Sequence, residues 1–238
     1  MTQGGDGRGD PRARIVEAAA QLLRESGPAS VTTRGVAEAA HVQAPAIYRF
    51  FGDKDGLLEA VAEHVMSTFV AAKAGSVETA TAQGLDPLED LRSGWQTQID
   101  FGLANPGLFR LLTDPERALR SPAFQAGRRV LEARIGRVAA AGHLRVSEQR
   151  AVALVQAAGS GAVLTLLATP VAERDAGLAD HLYEAVLQQV LTDPLAPADD
   201  RVLAATIAFR AVAPRLDVLT DAEQRLLREW LDRAVATG

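Results

Sequence analysis

Cysteine is absent from all 238 residues of this chain. Disulfides, thiolate zinc sites and cysteine nucleophiles are therefore excluded, and the composition is consistent with a reducing cytoplasm. The first residues, MTQGGDGRGDP, contain no apolar core, so we expect a flexible tail and no secretory signal. With 47% apolar residues, the chain can bury a real core, and its length suits one small and one larger domain.

Basic residues are also in deficit, because 25 Lys and Arg stand against 30 Asp and Glu and give a net charge of -5. Phosphate binding depends on Lys and Arg, so this total argues against a nucleic-acid partner. The distribution matters more. Residues 1–56 hold seven basic and seven acidic residues, whereas the remainder holds 18 and 23. The N-terminal part is therefore neutral and is compatible with a local basic patch.

No arrangement of residues indicates catalysis or metal binding. The histidines are far apart in the sequence and have no second ligand at metal-binding spacing. They are His41, His64, His143 and His181. Gly159-Ser160-Gly161 lacks both a nucleophile-elbow pattern and a phosphate-loop lysine, and favours close packing. We therefore expect no catalytic residue, no metal, no cofactor and no enzymatic activity.

One uncharged run, residues 151–172, is long enough to cross a bilayer. It is rich in Ala, Gly and Thr, includes Gln156, Ser160 and Pro170, and lacks the aromatic and lysine anchors of a spanning helix. We interpret it as a buried helix and expect a cytoplasmic protein with no membrane partner.

Helical periodicity and helix-start signals recur along the chain, and no strand pattern or internal repeat is found. Asp10 and Pro11 begin the first helix, which Gly27-Pro28 ends, and Asp53 caps a long fourth helix. Periodicity weakens between Ala74 and Leu85, which predicts a loop or frayed helix. Further helices are predicted at about 87–104, 108–112, 122–141, 148–169, 175–191 and 199–213, and after the capping box Thr220-x-x-Glu223.

The stretch Val31–Leu58 predicts two short helices that meet at a tight turn. The first opens at Thr32 or Thr33 and buries one face, formed by Val36, Ala37 and Ala40. After a break at residues 41–43, the second begins at Ala44 with Pro45 in its first turn. Ile47 and Phe51 face inward, four residues apart. The residues left on or near the outer surface are Ala44, Ala46, Tyr48, Arg49 and Phe50.

This stretch resembles the TetR family of bacterial transcriptional regulators. The matching residues are Thr32-Thr33-Arg34, Val36-Ala37, Ala44-Pro45-Ala46-Ile47-Tyr48, Phe51, Lys54 and Leu57-Leu58. The resemblance implies an all-α fold, in which a three-helix helix-turn-helix domain at residues 10–70 is joined by a long fourth helix to a helical domain at residues 71–238. That second domain would bind an effector, mediate dimerisation and carry an extra C-terminal helix pair.

Carried over from the family, Thr33, Tyr48 and Lys54 would contact phosphates, and Arg34 with residues 43–46 would lie near base edges. The full predicted DNA-binding set is Thr32, Thr33, Arg34, Gln43, Ala44, Pro45, Ala46, Tyr48, Arg49, Phe50 and Lys54. Two positions depart from the family pattern. His41 stands where the turn usually has glycine, and Phe50 replaces a histidine or tyrosine and cannot hydrogen-bond to a phosphate.

Two further sites are predicted in the second domain. Aromatic and apolar side chains could enclose an effector or simply fill the core: Phe69, Trp95, Phe101, Phe109, Leu112 and Phe124. Small residues would let helices approach closely, either within the chain or, as the resemblance implies, in a four-helix dimer interface. The predicted interface residues are Ala157, Ala158, Gly161, Leu182 and Val186.

The sequence therefore favours a ligand-responsive, dimeric repressor that a small molecule releases from an inverted-repeat operator. Its partners would be double-stranded operator DNA, an effector of unknown identity and a second copy of the chain. The alternative is an all-helical small-molecule carrier or enzyme that does not bind DNA.

Overall fold

A computed structural model describes residues 10–26, 30–192 and 198–236. This part of the chain contains twelve α-helices and no strand, which confirms the all-α prediction. The predicted N-terminal tail and the Gly27-Pro28 stop lie outside the described residues. The helices are α1 Pro11–Ser26, α2 Thr33–Ala39, α3 Ala44–Phe51, α4 Lys54–Ala82, α5 Pro87–Ala104, α6 Pro106–Leu112, α7 Pro115–Arg120, α8 Pro122–Ala140, α9 Glu148–Ala168, α10 Leu178–Val190, α11 Ala198–Val212 and α12 Asp221–Ala236.

The predicted cap residues begin the helices for the expected reason, because their side-chain oxygens accept backbone N–H groups of the first turn. Asp10 accepts from Arg12 at 3.0 Å, and Asp86 accepts from Leu88 at 2.8 Å. The capping box before α12 forms in both directions between Thr220 and Glu223.

The prediction of a loop or frayed helix between Ala74 and Leu85 is wrong, because α4 continues to Ala82. Three hydroxyl groups in this stretch donate to carbonyls of their own helix: Ser76 to Lys73, Thr79 to Gly75, and Thr81 to Val77. These bonds satisfy the polar side chains inside the helix. The chain leaves the helix at Gly84, whose φ of 65° suits glycine. The short helix α7 was not predicted.

Contacts divide the chain into two units. The first unit is Met1–Ala72 with Gly107–Ala126, and the second unit is Lys73–Pro106 with Gly127–Gly238. The first unit buries residues of α1 to α4 in one core: Ile15, Val16, Ala19, Ala20, Val31, Val36, Ala37, Ala40, Ile47, Leu57 and Val61. In the same unit, Glu63 of α4 accepts from the Ser121 hydroxyl at 2.6 Å and from the Ala123 N–H at 2.7 Å. This carboxylate ties α4 to the start of α8.

The second unit is built around α9, which packs against α5 and α10. α9 meets the criteria of length and hydropathy for crossing a membrane, and core helices of soluble proteins meet them too. Its buried face is Ala151, Val152, Val155, Gly159, Ala162, Val163 and Leu166.

A buried ion-pair cluster joins α5 to α8 in the second unit. Asp90 accepts from Arg134 at 3.2 Å and from Arg137 at 2.7 Å. A Cβ atom added at Gly94 would lie 2.5 Å from an Arg134 guanidinium nitrogen, so glycine makes room for this arginine. Burial and, secondarily, the charge of Arg134 lower the pKa of Lys73 to about 8.

We expect Gly94→Ala to destabilise the protein by about 1 to 3 kcal/mol, because Arg134 is paired and cannot easily withdraw from the added methyl group. Gly75→Ala is the matched control: a Cβ there meets nothing within 4 Å. In a helix interior this control should stabilise by about 0.5 to 1 kcal/mol. Urea unfolding measures both values, and equal stability of the two variants would contradict the packing described.

Candidate functional site

The turn between α2 and α3 requires an unusual backbone conformation. His41 has a φ of 53°, in the left-handed region. The glycine that the family pattern usually has at this position indicates the same conformation. The N–H groups of the turn are satisfied, His41 donating to the Glu38 carbonyl at 3.1 Å and Val42 to the Ala37 carbonyl at 2.9 Å. These bonds continue directly from α2, so they fix the direction in which α3 leaves the turn.

α2 and α3 bury one face each and expose the other. The Thr32 hydroxyl accepts the Gly35 N–H at 3.0 Å and caps α2, while Arg34 stays exposed. In α3, Ile47 is fully buried and Tyr48 is 53% exposed. The other predicted DNA-binding residues that are exposed are Gln43, Ala44, Pro45, Arg49 and Lys54, and those that are partly buried are Thr33, Ala46 and Phe50. The helix pair therefore exposes Arg34 and Arg49 together with Tyr48 and the start of α3.

The junction between α3 and α4 holds Lys54 beside α3. Gly52 turns the chain with a φ of 78°, and Asp53 caps α4 by accepting the Gly56 N–H at 2.8 Å. A Cβ atom at Gly56 would lie 2.1 Å from the Phe51 carbonyl oxygen, so only glycine allows this approach. Lys54 is the first residue of α4 and is exposed.

Phe50 is predicted to lie on or near the outer surface. It is partly buried and packs against the core of the first unit. The Arg49 guanidinium carbon lies 4.8 Å from the centroid of the Phe50 ring, within the range of a cation–π contact. The ring therefore supports a neighbouring arginine rather than facing solvent, which the helical spacing of Ile47 and Phe51 did not reveal.

Arg12 is a basic residue that the sequence analysis did not assign to this surface. It is exposed in the first turn of α1, and its guanidinium carbon lies 5.3 Å from the centroid of the Phe51 ring, at the end of α3. Arg12 thus adds a positive charge to the α3 end of the first unit. Its contact joins residues 39 positions apart, so no local pattern could have indicated it.

The predicted effector residues divide between the two units. Phe69, Phe109 and Phe124 belong to the first, while Trp95 and Phe101 belong to the second. Trp95 and Phe109 are buried, the other phenylalanines are partly buried, and the side chain of Leu112 lies outside the described part. A groove of about 540 Å³ in the second unit shares no residue with this set. It is lined by Gly75, Ser76, Thr79, Ala80, Leu85, Glu89, Asp90 and Ser93. The effector set stays a prediction.

The predicted dimer residues are not buried within the chain. Ala157 and Gly161 of α9 are exposed, and Ala158, Leu182 and Val186 are partly buried. The exposed side of α9 carries no charge between Ala153 and Ala168: its members are Ala153, Ala157, Gly161, Leu164, Thr165 and Ala168.

No group of three or more metal-binding side chains lies together in the described ranges.

Comparison with known proteins gives a family match for the helix-turn-helix region. Residues 15–61 match the model described as bacterial regulatory proteins, tetR family. The nucleoid occlusion factor SlmA of Haemophilus influenzae is 36% identical over 105 residues, which are 44% of this chain and 46% of that protein. The HTH-type transcriptional regulator BetI of Burkholderia ambifaria is 34% identical over 82 residues, 34% of this chain and 41% of that one. The chain spans less than half the length of these curated relatives.

A solved structure extends the likeness beyond the first unit. FadR of Thermus thermophilus, a TetR family transcriptional repressor in complex with lauroyl-CoA, matches with a TM-score of 0.59 and 26% identity. The match covers 79% of this chain and 99% of FadR. The helix-turn-helix region, residues 15–61, is therefore similar to bacterial regulatory proteins of the tetR family, and the fold is similar to that of a TetR family repressor.

Proposed function

We propose that this protein is a dimeric transcriptional repressor that binds an inverted-repeat DNA operator and that a small molecule releases it. The observation that carries this proposal is the α2–turn–α3 arrangement. In it, Ile47 anchors α3 in the core, and α3 exposes Tyr48 and Arg49. Arg34 of α2 and Lys54 of α4 are exposed as well. In this arrangement the second helix enters the major groove and the first crosses the backbone. We place the protein in the cytoplasm, acting by binding rather than by catalysis.

The contacts divide into two kinds. Arg34 and residues 43–46 would read base edges, while Thr33, Tyr48 and Lys54 would hold phosphates. Arg12 and Arg49 would add phosphate contacts at the α3 end. The Thr32 hydroxyl oxygen accepts the Gly35 N–H in the helix cap, and its O–H would donate to a phosphate.

Affinity for a random-sequence duplex across a range of salt concentrations tests the regulator against the carrier or enzyme alternative. A regulator should bind at low salt, and the logarithm of its affinity should fall linearly with the logarithm of the salt concentration. A protein that shows no binding at low salt has no operator to read, and the proposal then fails.

The first DNA prediction separates reading from holding. Arg34→Ala should cost about 1 to 3 kcal/mol and relax the preference at one base pair, because a bidentate base contact is lost. Lys54→Ala should weaken all duplexes nearly equally and lower the salt slope by about one. Titrations against a selected operator and its single-base variants measure both effects. If Arg34→Ala discriminates bases as well as the parent protein, Arg34 is not a base-reading residue.

The second DNA prediction concerns the ring beneath Arg49. Phe50→Ala should weaken duplex binding, because Arg49 loses its support, and should also lower stability by about 1 to 2 kcal/mol. In that background, Arg49→Ala should cost less affinity than in the parent protein. Phe50→Tyr keeps the ring and is the control background, in which Arg49→Ala should cost as much affinity as in the parent protein. Additive effects of Phe50→Ala and Arg49→Ala on affinity would show that the ring does not position the arginine.

The dimer proposal rests on the uncharged, exposed side of α9 together with Leu182 and Val186 of α10. Small residues on α9 would allow two such helix pairs to approach closely and form a four-helix interface. Two reading units on one dimer would match the two halves of an inverted repeat.

Gly161→Glu should split the dimer, because an unpaired charge would be buried between close helices. The substitution should leave the monomer folded, since Gly161 is exposed and a Cβ there meets nothing within 4 Å. Ala172→Glu, at an exposed position after α9, is the control. Sedimentation at micromolar concentration should show a dimer for the parent and the control and a monomer for Gly161→Glu. A parent protein that sediments as a monomer would refute the interface.

For the effector, we propose a long acyl thioester. The support is the likeness to FadR of Thermus thermophilus, whose structure contains lauroyl-CoA. Lauroyl-CoA is therefore the first compound to add to the operator complex. Linkage requires that operator DNA and effector weaken each other's binding by the same factor.

A further inference from the structure

Two buried polar atoms of the second unit have no hydrogen-bond partner among the described residues. They are the indole nitrogen Nε1 of Trp95 and the hydroxyl oxygen of Tyr183. Both side chains are almost inaccessible, at 5% and 1% exposure. A buried donor without an acceptor destabilises a protein, so native proteins keep few of them, often for a functional reason.

The two donors belong to one aromatic pair. Trp95 lies on α5 and Tyr183 on α10, and their ring centroids are 5.2 Å apart. α9 packs against both helices. Gly159 of α9 lies against the Trp95 ring, and a Cβ atom added at this position would lie 3.3 Å from the ring. Glycine leaves the ring more freedom to shift than any other residue would.

The charges around the pair are already compensated. The Arg92 guanidinium carbon lies 4.8 Å from the centroid of the Tyr183 ring, and Arg92 forms an ion pair with Glu184. Burial raises the pKa of Tyr183 to about 12, although Arg92 opposes this shift, so the hydroxyl keeps its proton at neutral pH. The pair is therefore a neutral donor set, with one ion pair beside the tyrosine ring.

We infer that Trp95 and Tyr183 form the polar end of the effector site and donate hydrogen bonds to a carbonyl oxygen of the ligand. This inference rests on the proposed function and specifies its effector as an acyl thioester whose alkyl part packs among apolar side chains of α5, α9 and α10. A carbonyl oxygen has two lone pairs and no charge, so it can accept from both donors without the cost of burying an anion. The cation at the Tyr183 ring, Arg92, is already paired with Glu184, so a buried carboxylate or phosphate would be poorly compensated here.

The experiment compares two probes with the full-length protein by titration calorimetry: lauroyl-CoA, and the dodecyl thioether of CoA, which lacks the carbonyl. The parent protein should bind lauroyl-CoA at least about tenfold more tightly. Tyr183→Phe should lose about tenfold in affinity for lauroyl-CoA and none for the thioether. Trp230→Phe, which alters a half-exposed tryptophan outside the pair, should change neither.

Stability supplies a second readout that does not need the ligand. Tyr183→Phe should leave the Tm of the ligand-free protein unchanged or higher, because the lost hydroxyl has no partner to leave unsatisfied. A lower Tm would show that the hydroxyl is held by a buried water or another group, and would overturn the inference. Equal binding of the two probes, equal affinity of Tyr183→Phe and the parent for lauroyl-CoA, or no binding of lauroyl-CoA would also overturn it.

Duplex binding without ligand separates this inference from the proposed function. A protein that binds duplex DNA but fails the lauroyl-CoA comparison remains a DNA-binding regulator with a different effector site. A protein that passes the lauroyl-CoA comparison but binds no duplex at low salt keeps this site, and the repressor proposal fails instead.

Discussion

The left-handed turn at His41 determines which residues of α3 the first unit exposes. With a φ of 53°, it directs α3 away from α2 and places Ile47 in the core. Because Ile47 is anchored, helical geometry leaves Tyr48 and Arg49 on the outside. The close approach of Gly56 to the Phe51 carbonyl then starts α4 directly after α3, with Lys54 at its first position. The proposed reading and phosphate contacts all depend on this sequence of local constraints.

The features that the sequence predicted correctly are local ones. Caps such as Thr32 and Asp86 act within three residues, so the helix starts could be read directly from the chain. The continuation of α4 was missed because hydroxyl-rich stretches resemble loops, while their hydroxyls bond to carbonyls of their own helix. The pairing of Asp90 with Arg134 and the support of Arg49 by Phe50 were missed because they depend on how helices pack and how rings turn.

The same division applies to the proposed effector site. Trp95 was predicted as one aromatic residue among several, and Tyr183 was not assigned a role, because they are 88 positions apart in the sequence. Only the folded chain reveals that both are buried, adjacent and without acceptors in the part of the chain that the structure describes. Such donors are costly unless a ligand satisfies them, and a ligand that does so stabilises the conformation to which it binds. An effector would release the protein from the operator to the extent that the conformation it stabilises binds DNA less tightly than the ligand-free conformation.

Selection of bound duplexes from a random pool by the full-length protein tests the central claim most directly, because it requires reading and dimerisation together. The account predicts enrichment of an inverted repeat, with half-sites spaced for two major-groove helices on one dimer. At the selected site, two copies of the chain or a multiple of two should bind per duplex. Enrichment of a single unrepeated site, occupied by one copy, or no enrichment at all, would contradict the account.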